Sequence, residues 1–379
     1  MNGLTDLDSR KNKNSPGTTA PPKIRVLLVD DSLIALTSLK RALSTAPDIE
    51  VVGTARNGRE ALSMMPALKP AVVCTDLYMP VMSGLELTRE IMNKYPCPIL
   101  AVSVSVAKGS DNVFRLIEAG AIDVFTKPGF GAGLSSSVEI AQLISKIRIL
   151  SGVRVFKKFT ETAPLLKPPE PQKPILPMDI QNSTVLDIVV IGASTGGPKA
   201  LQEILPELPP SFKIPVICVQ HIADGFLNGF VEWLSSECRM NVSIARQGER
   251  PMPGNIYFPQ EQTHLEFDRN GRFILSSGEP FSGHRPSVTL TMNSAAKYFG
   301  SRTAGVLLTG MGNDGSEGMK AIALAGGLTI AQDEASSVIF GMPKEAIAIG
   351  AVKHILPLSS IADTLIRFQK ASGGGKEET

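Results

Sequence analysis

Five short apolar runs, at residues 24–29, 51–55, 71–75, 99–104 and 122–126, alternate with stretches of helical spacing such as 33–43. That succession constrains the N-terminal region most, because strand and helix in regular alternation lead to a parallel sheet with helices on its faces. Five such units in about 130 residues predict a doubly wound α/β domain over residues 23–150, preceded by a disordered tail at 1–22. The pattern then stops. From 151 to 184 six prolines (Pro164, Pro168, Pro169, Pro171, Pro174 and Pro177) interrupt a polar, partly basic stretch, the composition of a semi-rigid, extended linker. A strand at 187–191 opens a second α/β pattern over 185–370, expected to hold a mostly parallel sheet, with further apolar runs at 214–219, 304–309 and 327–331. Within it, residues 263–275 read as a hairpin turning at Asp268-Arg269-Asn270-Gly271, since Asn-Gly readily supplies positive φ. Residues 371–379 read as a flexible polar tail.

Composition removes several function classes. The 379 residues suit two domains of ordinary size, and 43% hydrophobic with 20% charged content is that of a soluble globular protein. Net charge is only +2, with basic residues spread along the chain, so the long-range field that nucleic-acid binding needs is absent. Cys74, Cys97, Cys218 and Cys238 form no C-x-x-C pair, which argues against a disulfide framework or zinc knuckle and for thiols in a reducing compartment. No run approaches the roughly 18 apolar residues of a membrane span, and the N-terminus lacks the apolar core of a signal peptide. The expectation is a cytoplasmic protein without membrane insertion.

Chemistry-bearing residues fall where the predicted strands end. Asp30 and Asp31 close the first run, Asp76 the third, Ser103 the fourth, and Lys127-Pro128 the fifth. In a doubly wound sheet these carboxyl ends converge on one crevice, where strand order reverses. Three carboxylates there repel one another, and a hard divalent cation such as Mg²⁺, bound through oxygen, relieves the repulsion. A phosphoryl group on Asp76 would be neutralised by that metal and by the Lys127 ammonium, with Ser103 hydrogen-bonding one of its oxygens. A single Asp after a strand more often caps a turn, but the set together points to phosphoryl chemistry. Asp30-Asp31, the segment Asp76-Leu77-Tyr78-Met79-Pro80-Val81-Met82-Ser83-Gly84, Ser103, and Thr126-Lys127-Pro128 resemble the receiver domains of two-component signalling. The resemblance implies strand order 2-1-3-4-5, phosphorylation of Asp76 by a histidine kinase, and Mg²⁺ held by Asp31, Asp76 and the main-chain carbonyl of Tyr78, with Asp30 acting through water. One position departs from the commoner pattern: Val124 stands where many receivers carry an aromatic switch residue.

In the second domain the strand at 187–191 runs into Gly192-Ala193-Ser194-Thr195-Gly196-Gly197-Pro198. Gly192 to Gly196 fits the G-x-S-x-G elbow, in which glycines allow a sharp strand-to-helix turn, the hydroxyl is exposed, and the following N–H can serve an oxyanion. Such a turn can equally cradle a dinucleotide phosphate. That use, however, calls for a glycine where Pro198 stands and an acidic residue about 20 positions on. Gln220-His221 stands there instead, and a histidine is the general base a serine nucleophile requires. His264, His284 and His354 each have a plausible reading as hairpin, loop or strand-edge residues, whereas His221 is singled out by its position, at a strand end before a helix starting near Asp224. Asp314, in Thr309-Gly310-Met311-Gly312-Asn313-Asp314-Gly315, could fix the tautomer of that histidine or could cap the helix of 316–325; both uses are open at this level.

The chain order Ser, His, Asp differs from the Ser, Asp, His of ordinary α/β-hydrolases, which points to another fold. These three motifs, with Arg285-Pro286-Ser287-Val288, Ala331-Gln332-Asp333-Glu334-Ala335-Ser336 and Phe340-Gly341-Met342-Pro343, resemble the catalytic domain of chemotaxis protein-glutamate methylesterases from about residue 187 to 368. The resemblance implies catalysis by Ser194, His221 and Asp314 with oxyanion assistance from Thr195 and Met311. It also implies chemoreceptors as substrate, hydrolysis of their glutamate γ-methyl esters, deamidation of their glutamines, no cofactor for the ester chemistry, and an active site covered by the receiver before phosphorylation. Two rival readings are a second domain that only binds a partner or DNA, and a serine hydrolase acting on another ester. The first meets neither a helix-turn-helix pattern nor a basic face.

Overall fold

The computed structural model describes residues 22–103, 111–127, 137–155 and 185–373. In the N-terminal domain, strands β1 (Ile24–Val29), β2 (Ile49–Ala55), β3 (Val72–Thr75), β4 (Ile99–Ser103) and β5 (Asp123–Thr126) alternate with helices α1 (Leu33–Leu43), α2 (Gly58–Leu68), α3 (Gly84–Lys94), α4 (Asp111–Ala119) and α5 (Ser137–Ser151). The strands pair in parallel in the order β2-β1-β3-β4-β5. Successive residues of a strand point to opposite faces, so Leu27 and Val29 join the apolar layer beneath α2, α3 and α4, whereas Val26 and Leu28 join that beneath α1 and α5. Helix starts follow local chemistry: Ser32 accepts from the Ala35 N–H at 3.3 Å, Asn57 from the Glu60 N–H at 2.9 Å, and Ser83 with Glu86 forms a reciprocal capping box. Gly84 is required by close approach, since a Cβ there would lie 2.0 Å from the carbonyl oxygen of Asp76.

The C-terminal domain contributes β6 (Ile188–Ala193), β7 (Val216–Gln220), β8 (Asn241–Ile244), β9 (Asn255–Phe258), β12 (Thr303–Leu307), β13 (Leu328–Gln332) and β14 (His354–Leu356) to one parallel sheet of order β14-β13-β12-β6-β7-β9-β8. Helices α6 (Gly197–Ile204), α7 (Leu227–Glu237), α8 (Val288–Phe299), α9 (Ser316–Leu324), α10 (Met342–Ala348) and α11 (Leu358–Gly373) cover it. The antiparallel pair β10 (His264–Phe267) and β11 (Phe273–Ser276) forms a separate hairpin, with Gly271 at φ +71° in its turn. From β6 the chain passes to β7 on one side and later returns to the other side as β12. Strand order therefore reverses at β6, and its carboxyl end is the natural position for a site.

Several boundaries differ from the sequence reading. Strands β8, β9 and β14 carry only three or four residues, too few to give a legible apolar run. Helix α7 begins at Leu227 rather than near Asp224, and α11 continues to Gly373, into the stretch expected to be tail. Most of the proline-rich segment, residues 1–21, residues 374–379 and Pro128 lie outside the described residues.

The two domains share an apolar contact. Phe114 of α4, fully buried, stacks on Trp233 of α7 (centroids 5.4 Å apart, planes at 15°) and lies 5.2 Å from Phe230. The Trp233 indole N–H donates to Glu118 Oε1 at 2.6 Å, satisfying the one polar atom that the stack would otherwise strand. Thr126, at the end of β5, donates its hydroxyl to the Asp224 carbonyl at 3.2 Å. Val338, which crowds Gly196, packs against the apolar layer beneath α1 and α5.

Candidate active site

Ser194 stands one residue beyond β6, partly exposed, with its N–H donating to the Thr309 carbonyl at 3.0 Å. The turn that follows needs Gly196 at φ +79°, and Pro198 opens α6 where its missing N–H costs nothing. Strand β7 lies beside β6 with Gln220 paired to Ala193, and the His221 N–H donates to the Ala193 carbonyl at 3.0 Å. Ser194 and His221 thus leave adjacent strand ends together. The Gln220 amide spans them, donating to the carbonyls of Ser194 (2.9 Å) and His221 (2.8 Å). On the other side of β6, the loop after β12 brings in Asp314, which is buried.

The His221 ring directs Nε2 at Asp314 Oδ2, 2.9 Å away. An ionised carboxylate only accepts, so Nε2 carries the proton and Nδ1 the lone pair. Nδ1 is buried and has no hydrogen-bond partner among the described residues, which makes it the ring atom available to take a proton. Among the described residues no hydrogen bond yet joins it to the Ser194 hydroxyl.

Asp314 also accepts from the Ser287 hydroxyl (2.9 Å) and from the N–H groups of Val288 (2.8 Å) and Thr289 (2.9 Å). These residues open α8, whose unpaired N–H groups and dipole favour a negative charge. The two uses that the sequence left as alternatives therefore coexist in one carboxylate, and the helix it serves is α8. Its own neighbour α9 starts at Gly315 with no side-chain cap. Burial alone would raise the Asp314 pKa, but the hydrogen bond and charge of His221 and the donors around Thr289 outweigh it and hold the carboxyl well below the usual range.

Sequence reasoning passed over three residues here. His284 stacks on His221, centroids 4.0 Å apart and planes at 2°. Burial, helped by the neighbouring His221 charge and opposed by Asp314, lowers its pKa from 6.5 to about 4, so it is neutral near pH 7. Gln220 was legible only as the absence of an acidic residue, and His264 only as part of a hairpin. His354 lies half-buried on β14, in another part of the sheet. Thr195 is buried, whereas the Met311 side chain is exposed. Neither N–H donates a main-chain hydrogen bond among the described residues. The thiols of Cys74, Cys97 and Cys238 are pushed by burial up to about 12, and no thiolate competes as nucleophile.

In the N-terminal crevice the carboxylates of Asp30, Asp31 and Asp76 offer oxygens within 4.8 Å of one another, with Asp30 and Asp76 buried and Asp31 exposed. Lys127 Nζ bridges Asp30 Oδ2 (2.7 Å) and Asp76 Oδ2 (2.6 Å). Burial opposes the lysine charge, yet the two carboxylates prevail and its pKa is raised; at Asp30 burial prevails over the lysine and raises the carboxyl. Ser103 is buried at the end of β4, and its carbonyl accepts from the Lys127 N–H at 2.8 Å. Tyr78 lies exposed in the loop after Asp76, and Val124 is buried within β5. An all-oxygen donor set with one exposed edge fits a hard divalent cation such as Mg²⁺.

Residues 189–365 match the family model described as CheB methylesterase, and residues 26–139 match the response regulator receiver domain. Protein-glutamate methylesterase/protein-glutamine glutaminase 1 of Syntrophus aciditrophicus is 39% identical over 347 residues, covering 91% of this chain and 98% of that protein. The chain belongs to the CheB methylesterase family. Protein-glutamate methylesterase/protein-glutamine glutaminase 4 of Geobacter metallireducens is 40% identical over 344 residues, covering 90% and 98%. Among solved structures, the Thermotoga maritima CheB methylesterase catalytic domain is 39% identical, covering 48% of this chain and 98% of that one, with a TM-score of 0.47. As in the family, a receiver domain is joined to an ester hydrolase domain.

Proposed function

We propose that this chain is a phosphorylation-controlled protein-glutamate methylesterase that hydrolyses glutamate γ-methyl esters of chemoreceptors and deamidates receptor glutamines. The observation that carries the reading is the convergence of Ser194, His221 and Asp314 at neighbouring strand ends, with His221 Nε2 held by Asp314 and Nδ1 left without a partner among the described residues. His221 Nδ1 takes the proton of the Ser194 hydroxyl as its oxygen attacks the ester carbonyl. The N–H groups of Thr195 and Met311 receive the negative oxygen. Collapse of the tetrahedral species breaks the bond to methoxide, which leaves as methanol with the proton from His221. Water, activated by the same nitrogen, then cleaves the glutamyl-serine ester to a free carboxylate. A glutamine side chain follows the same course with ammonia as leaving group.

In the receiver, Asp76 is the phosphoryl acceptor and a histidine kinase the donor. Asp31, Asp76 and the Tyr78 carbonyl would hold Mg²⁺, with Asp30 acting through water. When bound, Mg²⁺ offsets the charge of the incoming phosphoryl group. Lys127 and Ser103 would meet phosphoryl oxygens; Lys127 follows Thr126 in sequence and Ser103 pairs with it across β4 and β5, and Thr126 donates to the Asp224 carbonyl in the loop that carries His221. The receiver spans residues 23–150, the linker 151–184 and the hydrolase domain 185–370. No helix of the described residues is long and apolar enough to cross a membrane, in keeping with action on receptors from the cytoplasm. The direct test is release of methanol from methylated chemoreceptor membranes by the full-length protein with acetyl phosphate and Mg²⁺. Absence of methanol release under these conditions overturns the assignment.

A further inference from the structure

We infer that His264 is a positioning residue for this hydrolysis, setting Asp314, and through it His221, by way of the first residue of the α8 N-terminus. The inference rests on the reading of Asp314 and His221 as the catalytic pair. His264 lies on the hairpin strand β10, 2% exposed, and touches neither Ser194 nor His221 through any hydrogen bond among the described residues. An imidazole so buried is tolerated only when both nitrogens are satisfied, and both are. Nε2 lies 3.0 Å from the Glu279 carbonyl oxygen, an atom that can only accept, so Nε2 carries the proton. Nδ1 then offers its lone pair to the Ser287 N–H at 3.2 Å.

Ser287 is the pivot of the arrangement. It is fully buried and is the N-cap of α8, so its own N–H lies outside the helix ladder and is met by His264. Its hydroxyl donates to Asp314 Oδ1 at 2.9 Å, while the next N–H, on Val288, donates to the same Oδ2 that holds His221. Thr289 closes the cradle, donating its N–H to Asp314 and accepting the Gly315 N–H at 2.7 Å. A shift of Ser287 therefore moves the carboxylate that orients His221. The rest of the hairpin is tied to α8 independently, through Thr291 to the Leu265 carbonyl (2.7 Å) and Phe267 N–H to Ser294 (2.7 Å). Loss of the His264 contact is thus expected to disturb the α8 N-terminus locally while the hairpin stays docked.

Two near-isosteric substitutions separate this role from a merely structural one. In His264→Asn the amide oxygen stands near the place of Nδ1 and can still accept from Ser287, but the contact to Glu279 is lost. In His264→Gln the terminal amide reaches toward Glu279, and the acceptor for Ser287 is lost. Methanol release by phosphorylated full-length protein is expected to show kcat down about 10- to 100-fold for His264→Gln, with KM within about twofold, and kcat within about threefold of wild type for His264→Asn. The low-field proton resonance of the His221 Nε2–H to Asp314 bond should persist in His264→Asn and shift or vanish in His264→Gln. Equal kcat and an unchanged resonance in both variants, with only melting temperature affected, overturn the inference. If His264→Gln does not fold, Ser287→Ala cuts the next link: an intact rate and resonance there also overturn it. An Asp314→Asn protein that keeps the wild-type rate sinks the underlying catalytic reading instead, and the resonance then judges the His264 linkage alone.

Discussion

The Nδ1 atom of His221 is a buried polar group without a partner among the described residues, and such atoms persist where chemistry is to use them. Ser194→Ala and His221→Ala are each expected to lower kcat by about 10³-fold or more without loss of fold, and the double variant should be little worse, because nucleophile and base act as a unit. Methanol-release kinetics with circular dichroism on the same preparations checks this. Asp314→Asn belongs in a different class. It should lose about 10²- to 10⁴-fold in kcat through the wrong His221 tautomer, and also about 1.5–3 kcal/mol of stability, because the carboxylate receives three further charge-assisted bonds at the α8 N-terminus. Urea titration beside the kinetics reads both losses. His284 adds a pH signature. Its pKa is about 4 when folded against 6.5 when free, so the folded state binds fewer protons between these values and its contribution is lost as pH falls from about 6.5 toward 4. With solvent screening the effect is on the order of 1–2 kcal/mol, and His284→Gln should reduce the difference between urea midpoints at pH 7.5 and pH 5.

At the scale of elements, α7 is the piece on which most depends. Its N-cap, Phe226, has no capping side chain; Glu261 from the loop after β9 supplies one, accepting from the N–H groups of Gly225 (2.8 Å) and Leu227 (3.0 Å). The same start of α7 is braced by Gln262, whose amide donates to the Asp224 carboxylate at 2.7 and 2.6 Å. The helix thus joins the His221 loop at one end to the Phe114–Trp233 stack along its side. Glu261→Ala is expected to cost about 1 kcal/mol, seen as a lower urea midpoint, with a rise in KM or fall in kcat of no more than a few-fold. A midpoint unchanged from wild type would show that water meets those N–H groups equally well.

For the whole molecule, the contact between domains runs from the acceptor crevice to the hydrolase site in few steps. Lys127 grips Asp76, Thr126 beside it holds the Asp224 carbonyl, and Val338 joins the receiver core to the Ser194 turn. Asp76→Asn should abolish activation by acetyl phosphate and leave the basal rate intact. A fragment beginning near Gln181 should exceed the basal rate of the unphosphorylated whole, because it lacks the covering domain. Initial rates for the whole protein, the phosphorylated whole and the fragment separate cover from activation by a new contact: a fragment no faster than the unphosphorylated protein excludes cover as the main effect.

Sequence alone determined the parallel α/β character of both domains, because apolar runs at strand length and helices between them admit few other arrangements. It also placed Asp30, Asp76, Lys127, Ser194 and His221 at strand ends, since the first three follow directly on a legible run and the other two stand within three residues of one. Short β8, β9 and β14 were beyond its reach, as three or four residues carry too little periodicity to register. Asp314 marks the limit at the site. Its neighbours in sequence suggested a cap for α9, whereas its charge is met by α8, a helix whose start lies 26 residues earlier in the chain. Which ring nitrogen of His221 stays free, that His284 stacks upon it, and that His264 reaches Asp314 through Ser287 were decided only by tertiary structure. Hydrogen-bond partners of buried groups are set by which distant backbones pack together, and no local pattern of residues encodes that.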